Sequence, residues 1–147
     1  MRTIPNQVEA TAWKGVDAMS TEPSRMRVLV VEDNPIAAAC MMRFLRLVGH
    51  EVEIAPDGPS AVEAARDRPP DVVLLDLGLP RMDGWKVARR VREQPGPKRP
   101  LLVAVTGHGA EEDRRRSEEA GIDLHLTKPV DAAGLQWLLS RFRSVIS

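Results

Sequence analysis

The chain has 147 residues, enough for one domain with a real hydrophobic core and too few for two ordinary ones. Its 21 basic residues balance 21 acidic ones, so no global positive field draws it to nucleic acid or to an anionic membrane surface. No apolar run approaches the roughly 18 residues of a membrane span and the N-terminus lacks a signal-like apolar core, so the expectation is a soluble, cytoplasmic protein.

Residues 1–25 are polar, carry Pro5 and Pro23, show no sustained period and read as a flexible tail. Trp13 is the exception there, a side chain that could dock on the domain, which is placed at 26–147. Arg27 to Val31 is a short β-branched run, and Glu32-Asp33-Asn34-Pro35 after it supplies helix-capping side chains and a helix-compatible proline. The spacing of Ile36, Cys40, Phe44 and Leu47 predicts a helix over 35–48 with those residues on its apolar face, stopped by Gly49. Cys40 is the single cysteine and has no disulfide partner within the chain; on that face it is expected to be an inert buried thiol.

Glu51 to Ala55 alternates as an edge strand with one wet face would. Pro56-Asp57-Gly58 is a turn, and a short helix over 61–66 is closed by Pro69-Pro70. Val72 to Leu75 is almost purely apolar, as a strand buried on both faces is, and it ends in Asp76. A helix over 84–93 follows, with Trp85 as core packing at its start; then come a Pro- and Gly-rich loop and a third buried run, Leu101 to Val105, ending at Thr106. The segment 111–120 is highly charged and begins with acids, which suits a helix N-terminus, and Arg114-Arg115-Arg116 reads as its solvated face. A short strand over 123–127, a Lys128-Pro129 turn and a helix capped by Asp131 and running to about 142 complete the chain. Trp137 in that last helix is either core or a partner-facing anchor.

Strands and helices alternate five times with short loops, the pattern of an α/β doubly wound five-stranded parallel sheet. Right-handed crossovers place every strand's C-terminal end on one edge. That edge collects Glu32 and Asp33, Asp76, Thr106 and Lys128. Three converging carboxylates repel one another and need a cation, and for oxygen ligands the natural one is Mg²⁺. With a hydroxyl from Thr106 and an ammonium from Lys128, the site can hold a phosphoryl group while Asp76, which stands alone after its strand, attacks in line.

The segments Val30-Val31-Glu32-Asp33-Asn34, Leu74 to Gly84, Val105-Thr106-Gly107 and Thr127-Lys128-Pro129 resemble, in order and spacing, the receiver domains of two-component response regulators. The resemblance covers about 27–142. It implies a flavodoxin-like sheet in the order 2-1-3-4-5 and phosphoryl transfer from a histidine kinase or phosphotransfer protein to Asp76. It assigns Asp33, Asp76 and the Gly78 carbonyl as Mg²⁺ ligands, Glu32 acting through water, and Thr106 and Lys128 as partners of the phosphoryl oxygens. It further implies a cis Lys128–Pro129 bond and a switch in which Thr106 moves toward the phosphate. His125 stands where the family usually has a relay aromatic, and an imidazole there would add pH sensitivity. Such a domain is expected to be a phosphoacceptor rather than an enzyme, a monomer or weak dimer; with few residues after the last helix and no effector domain expected in this chain, either its output passes to a protein partner or the chain is a receiver cut from a larger hybrid kinase.

Each residue also has a plainer reading: Asp76 as a turn residue, Glu32 and Asp33 as a helix-capping pair, Thr106 as a strand-end partner, Lys128 as a surface lysine and His108 as a solvated loop residue. Two other functions stand beside the receiver. One is a phosphorylation-independent interaction module. The other is a phosphatase with an aspartyl nucleophile, which resembles Asp-x-Asp after the strand, a position held here by Gly78.

Overall fold

The computed structural model describes residues 25–79, 82–96, 99–107 and 111–146, with backbone alone for 111–113 and 143–146. The expectations for residues 1–24, Trp13 included, and for His108 fall outside these. The apolar runs form strands β1 (Arg27–Val31), β2 (Glu51–Ala55), β3 (Val72–Asp76), β4 (Leu101–Thr106) and β5 (Leu124–Thr127). Between and after them lie helices α1 (Pro35–Leu47), α2 (Gly58–Asp67), α3 (Gly84–Glu93), α4 (Glu111–Ala120) and α5 (Ala132–Ile146). All neighbouring strands are parallel and their order is β2-β1-β3-β4-β5, the doubly wound arrangement expected.

Alternate residues of the same strands feed two cores, because side chains of a strand point to opposite faces. Val31, Val73, Leu75 and Ala104 pack with Ala61 and Ala65 of α2, Val87 and Val91 of α3 and Ala120 of α4. Val28, Val30, Leu74 and Val103 pack on the other face with Leu45 of α1 and Leu135, Leu138 and Leu139 of α5. At roughly 25 cal/mol per Å² of apolar surface removed from water, these layers supply the main driving force for the fold. Every residue of β3 is buried, so this strand is the centre of the sheet, whereas β2 at its edge shows a wet face.

Three element ends follow their local chemistry. Asn34 caps α1, its side chain accepting from the N–H groups of Ile36 and Ala37. Asp57 caps α2 through the Ser60 N–H, so this helix starts at Gly58, earlier than the apolar spacing predicts. Asp131 caps α5 as expected, accepting from the Ala133 N–H at 2.8 Å, and α5 runs on to Ile146. Gly49 and Gly121 close α1 and α4 at φ +98° and +86°, the left-handed region glycine occupies without strain.

The phase of α1 differs from expectation. Its buried residues are Ala38 and Leu45, with Met41, Met42 and Phe44 packed partly against the sheet, while Ile36 and Leu47 are 76% and 84% exposed. Cys40 is exposed with them, not buried. Both stripes have helical spacing, and the one that carries small Ala38 is the one buried.

At the sheet's opposite end, ion pairs tie the elements together. Arg27 pairs with Glu51 and Glu53, and Arg92 of α3 pairs with Asp123 just before β5. Arg92 also donates to the carbonyls of Gly121 and Pro100 at 2.9 and 2.7 Å. Burial pushes its guanidinium below the usual arginine value, an effect that the Asp123 carboxylate opposes.

Candidate phosphoacceptor and cation site

Strand register assembles the site. Val31 of β1 lies opposite Leu75 of β3, so Glu32 and Asp76, the next residue of each chain segment, emerge side by side. Asp76 lies opposite Val105, and Thr106 opposite Thr127, so Thr106 and Lys128 enter within one residue of the same level. The Lys128 N–H donates to the Thr106 carbonyl at 2.8 Å, joining the ends of β4 and β5. The Lys128–Pro129 bond is cis. The strand order reverses between β1 and β3, so their crossovers depart to opposite faces and leave a crevice where such sheets bind ligands.

Glu32, Asp33 and Asp76 each offer an oxygen within 4.8 Å of the others. Glu32 and Asp76 are 7% exposed and Thr106 8%, while Asp33 faces solvent. Lys128 Nζ stands 3.3 Å from Asp76 Oδ2 and 4.0 Å from Glu32 Oε1. The other Asp76 oxygen, Oδ1, accepts the Gly78 N–H at 2.9 Å, so the carboxylate is held from two sides. Glu32 Oε2 accepts the Asn34 N–H at 3.1 Å. Burial pushes the Glu32 carboxyl above its usual range; the Asn34 N–H opposes this, the neighbouring Asp76 adds to it and the Lys128 charge opposes it.

Three carboxylates against one ammonium leave the crevice short of positive charge. An all-oxygen donor set with one solvent-facing member fits a hard divalent cation that keeps water ligands, Mg²⁺ above all. The helix-capping role for which Glu32 and Asp33 were candidates belongs instead to Asn34, leaving both acids for the cleft. The structure thus brings together Glu32, Asp33, Asp76, Thr106 and Lys128, with Gly78 in direct contact with Asp76.

His125 lies one strand over and lower, half-buried, paired with Ala104 on the face of the sheet that carries α4. Thr106, two residues after Ala104, shares that face. Other contacts that frame the site leave no mark in the sequence. Trp85, next to the loop after Asp76, packs partly on the core and donates its indole N–H to Ser117 Oγ of α4 at 3.0 Å. Arg116 lies over the same ring at 3.9 Å, and Arg114 to Arg116 are exposed as expected. A serine in a highly charged segment gives no signal that it is fully buried, as Ser117 is. An apolar groove of about 500 Å³ adjoins the acidic pair, lined by Ala37, Met41, Phe44, Pro129 and Leu135 among others.

Comparison with known proteins agrees with this geometry. Residues 28–139 match the model of the response regulator receiver domain. The response regulator MprA of Mycobacterium leprae is 38% identical over 82% of this chain and 51% of its own length. A probable histidine kinase 2 of Oryza sativa subsp. indica is 35% identical over 77% of this chain and 13% of its own. The chain thus spans at most about half of these curated relatives. Among solved structures, the receiver domain of a sensor histidine kinase of Pseudomonas aeruginosa, with a magnesium ion coordinated in its active-site cleft, is 33% identical, with a TM-score of 0.75 over 82% of this chain and 98% of that one. The chemotaxis protein CheY4 of Vibrio cholerae is 28% identical, with a TM-score of 0.76 over 80% and 98%. With the family model spanning most of its length and the acidic crevice at the matching strand ends, this chain belongs to the response regulator receiver domains of two-component systems.

Proposed function

We propose that the chain is a phosphoacceptor that takes a phosphoryl group on Asp76 from the phosphohistidine of a histidine kinase or phosphotransfer protein and passes the change to a protein partner. The observation that carries this reading is the clamped carboxylate: one Asp76 oxygen is held by the Gly78 N–H, and the other lies 3.3 Å from the Lys128 ammonium. A carboxylate oxygen of Asp76 forms the new bond to phosphorus as the bond to the donor imidazole nitrogen breaks, the departing electron pair returning to that ring. Lys128 and the Thr106 hydroxyl then bind phosphoryl oxygens, offsetting charge where it accumulates.

Asp33, Asp76 and the Gly78 carbonyl would hold Mg²⁺, with Glu32 acting through water. Bound there, the ion would offset the charge of the carboxylates and of the incoming phosphoryl oxygens. Such a chain works as a switch rather than a turnover enzyme, in the cytoplasm. A phosphatase reading lacks its second acid, since the position two beyond Asp76 is Gly78. The test is the intact mass after incubation with a small phosphodonor and Mg²⁺. One phosphoryl group is expected, absent from Asp76→Asn and abolished by EDTA; an adduct that survives Asp76→Asn would refute the assignment.

A further inference from the structure

The loop after Asp76 is set by a helix that lends no residue to the cleft. Leu77 and Leu79 of that loop are buried, and Met82 packs against the same core. On its far side stands α2. At Gly58, the first residue of α2, an added β-carbon would lie 2.6 Å from Met82 Cβ, 3.0 Å from Val87 Cγ2 and 3.2 Å from Met82 Cγ. The first contact is closer than β-carbons approach, and Met82 Cβ is fixed to its backbone, so no rotamer change relieves it. Either the loop or α2 must shift.

Both routes lead to the cleft. α2 is anchored by the Asp57 cap and by buried Ala61 and Ala65, and the strand just before it offers the Ala55 carbonyl to the Glu32 N–H at 3.1 Å. Moving α2 therefore pulls on the acidic pair. Moving Met82 shifts Gly84 two residues on, whose N–H donates to the Leu77 carbonyl at 3.4 Å, beside the Gly78 whose N–H holds Asp76 Oδ1. The loop has little slack at its other end, where a β-carbon on Gly84 would lie 2.7 Å from Leu77 Cα and 3.0 Å from the Asp76 carbonyl oxygen.

We propose that Gly58 is a positioning residue for the cation and phosphoryl cleft: with no β-carbon, α2 closes on Met82, and this contact sets where the loop presents Gly78 to Asp76. The inference rests on the proposed role of Gly78 and Asp76 as cation ligands. A merely structural Gly58 would change stability and leave cation affinity alone.

The experiment titrates Mg²⁺ alone into the full chain by calorimetry, with melting measured in parallel, for wild type, Gly58→Ala, Met82→Gly and the double variant. Asp123→Ala, at the opposite end of the sheet, serves as a control for destabilisation. Gly58→Ala is expected to weaken Mg²⁺ binding roughly tenfold or more, the scale of losing a group that orients metal ligands. Met82→Gly removes the other half of the contact and is expected to weaken binding as well. In that background Gly58→Ala is expected to cost less than about twofold, since the collision is gone. Asp123→Ala is expected to lower the melting temperature with Mg²⁺ affinity within about twofold of wild type.

Unchanged affinity in Gly58→Ala, or in Met82→Gly should Gly58→Ala not fold, overturns the proposal, as does an equal loss with and without Met82. A wild-type chain that takes neither Mg²⁺ nor a phosphoryl group overturns the proposed function and this inference with it. Wild-type binding with an indifferent Gly58→Ala removes this inference alone.

Discussion

Glu32→Gln is expected to stabilise the cation-free protein and to cripple its cation binding, with the two effects opposite in sign. Glu32 is 7% exposed, and its carboxylate shares a 4.8 Å cluster with Asp33 and Asp76. Burial of the charge is its largest cost, and at no more than 4.8 Å the repulsion from Asp76 adds about 3 kcal/mol at an effective dielectric near 20. The Lys128 ammonium is 4.0 Å away but 42% exposed, so its attraction falls toward the aqueous limit of about 1 kcal/mol. Exchanging a charged for a neutral acceptor at the Asn34 N–H returns about 1 kcal/mol against the variant. The charge interactions alone leave a gain of about 1 kcal/mol, to which relief of the burial cost adds, so Tm is expected to rise by roughly 4 °C or more for a domain of this size.

The pH dependence of that gain follows from the raised Glu32 carboxyl. Its ordinary value is 4.5 and its folded value lies above this, mainly through burial. Below the ordinary value both states hold the proton and Glu32 costs nothing. As pH rises from there through the folded value, the unfolded chain has lost the proton and the folded chain still holds it, so wild-type stability falls relative to the Glu32→Gln variant, and the deficit is constant above. Thermal melts in EDTA across this range should give coincident curves in acid that separate toward neutrality. Saturating Mg²⁺ should invert the order, because ligand binding adds RT ln(1 + [L]/Kd) to the wild type and less to the variant. A variant less stable than wild type in EDTA at neutral pH, or a gain that ignores pH, would refute the electrostatic reasoning.

Three further outcomes follow from particular contacts. Lys128→Met takes the ammonium away from two buried carboxylates, Asp76 at 3.3 Å and Glu32 at 4.0 Å, each contact worth about 1 kcal/mol with the ammonium 42% exposed, so a loss of about 2 kcal/mol is expected, with phosphoryl uptake slowed by roughly 100-fold, the scale of losing one charge-stabilising donor; a thermal melt checks the first and rapid-quench measurement with a small phosphodonor the second. Trp85→Phe strands the fully buried Ser117 hydroxyl and is expected to cost about 1–3 kcal/mol in a denaturant melt. Arg92→Lys keeps the charge but loses the fork that reaches Gly121, Pro100 and Asp123 together, so a loss of about 2 kcal/mol should persist despite the conservative change; a neutral result would show that water replaces the lost donors.

The site was legible in the sequence because its residues end apolar runs. In a parallel sheet buried on both faces, a charged residue survives only where its strand leaves the core, so Glu32, Asp76 and Lys128 announce the functional edge by interrupting hydrophobicity. The strand order needed the family resemblance, since periodicity says nothing about which runs pair. Helix phase was less legible. The stripe Ile36, Cys40, Leu47 and the stripe Ala38, Met41, Leu45 both repeat helically, and the first is the more hydrophobic, yet the second packs on the sheet. Which stripe is buried depends on the neighbouring strands, and hydrophobicity within the helix does not reveal it. The same holds for Gly58, whose close approach to Met82 emerges only once α2 and the loop are in place.

Among the described side chains, those of α4 are mostly held outside the hydrophobic cores. Of the described side chains of α4, Ser117 and Ala120 are buried and Arg114 to Arg116 are exposed. Its attachment to the body therefore leans on Trp85, by one hydrogen bond and one cation–π contact, each worth about 1 kcal/mol. The elements at the acceptor itself are locked by full burial of β3 and by the two bonds to the Asp76 carboxylate. A phosphoryl group on Asp76, as proposed, would change charge-assisted contacts of Thr106 and Lys128 worth more than these polar tethers of α4. If Asp76 is the acceptor as proposed, a new charge at a rigid centre would meet a weakly tethered neighbour, so α4, with His125 on the same face of the sheet, is where the smallest energy would give the largest displacement.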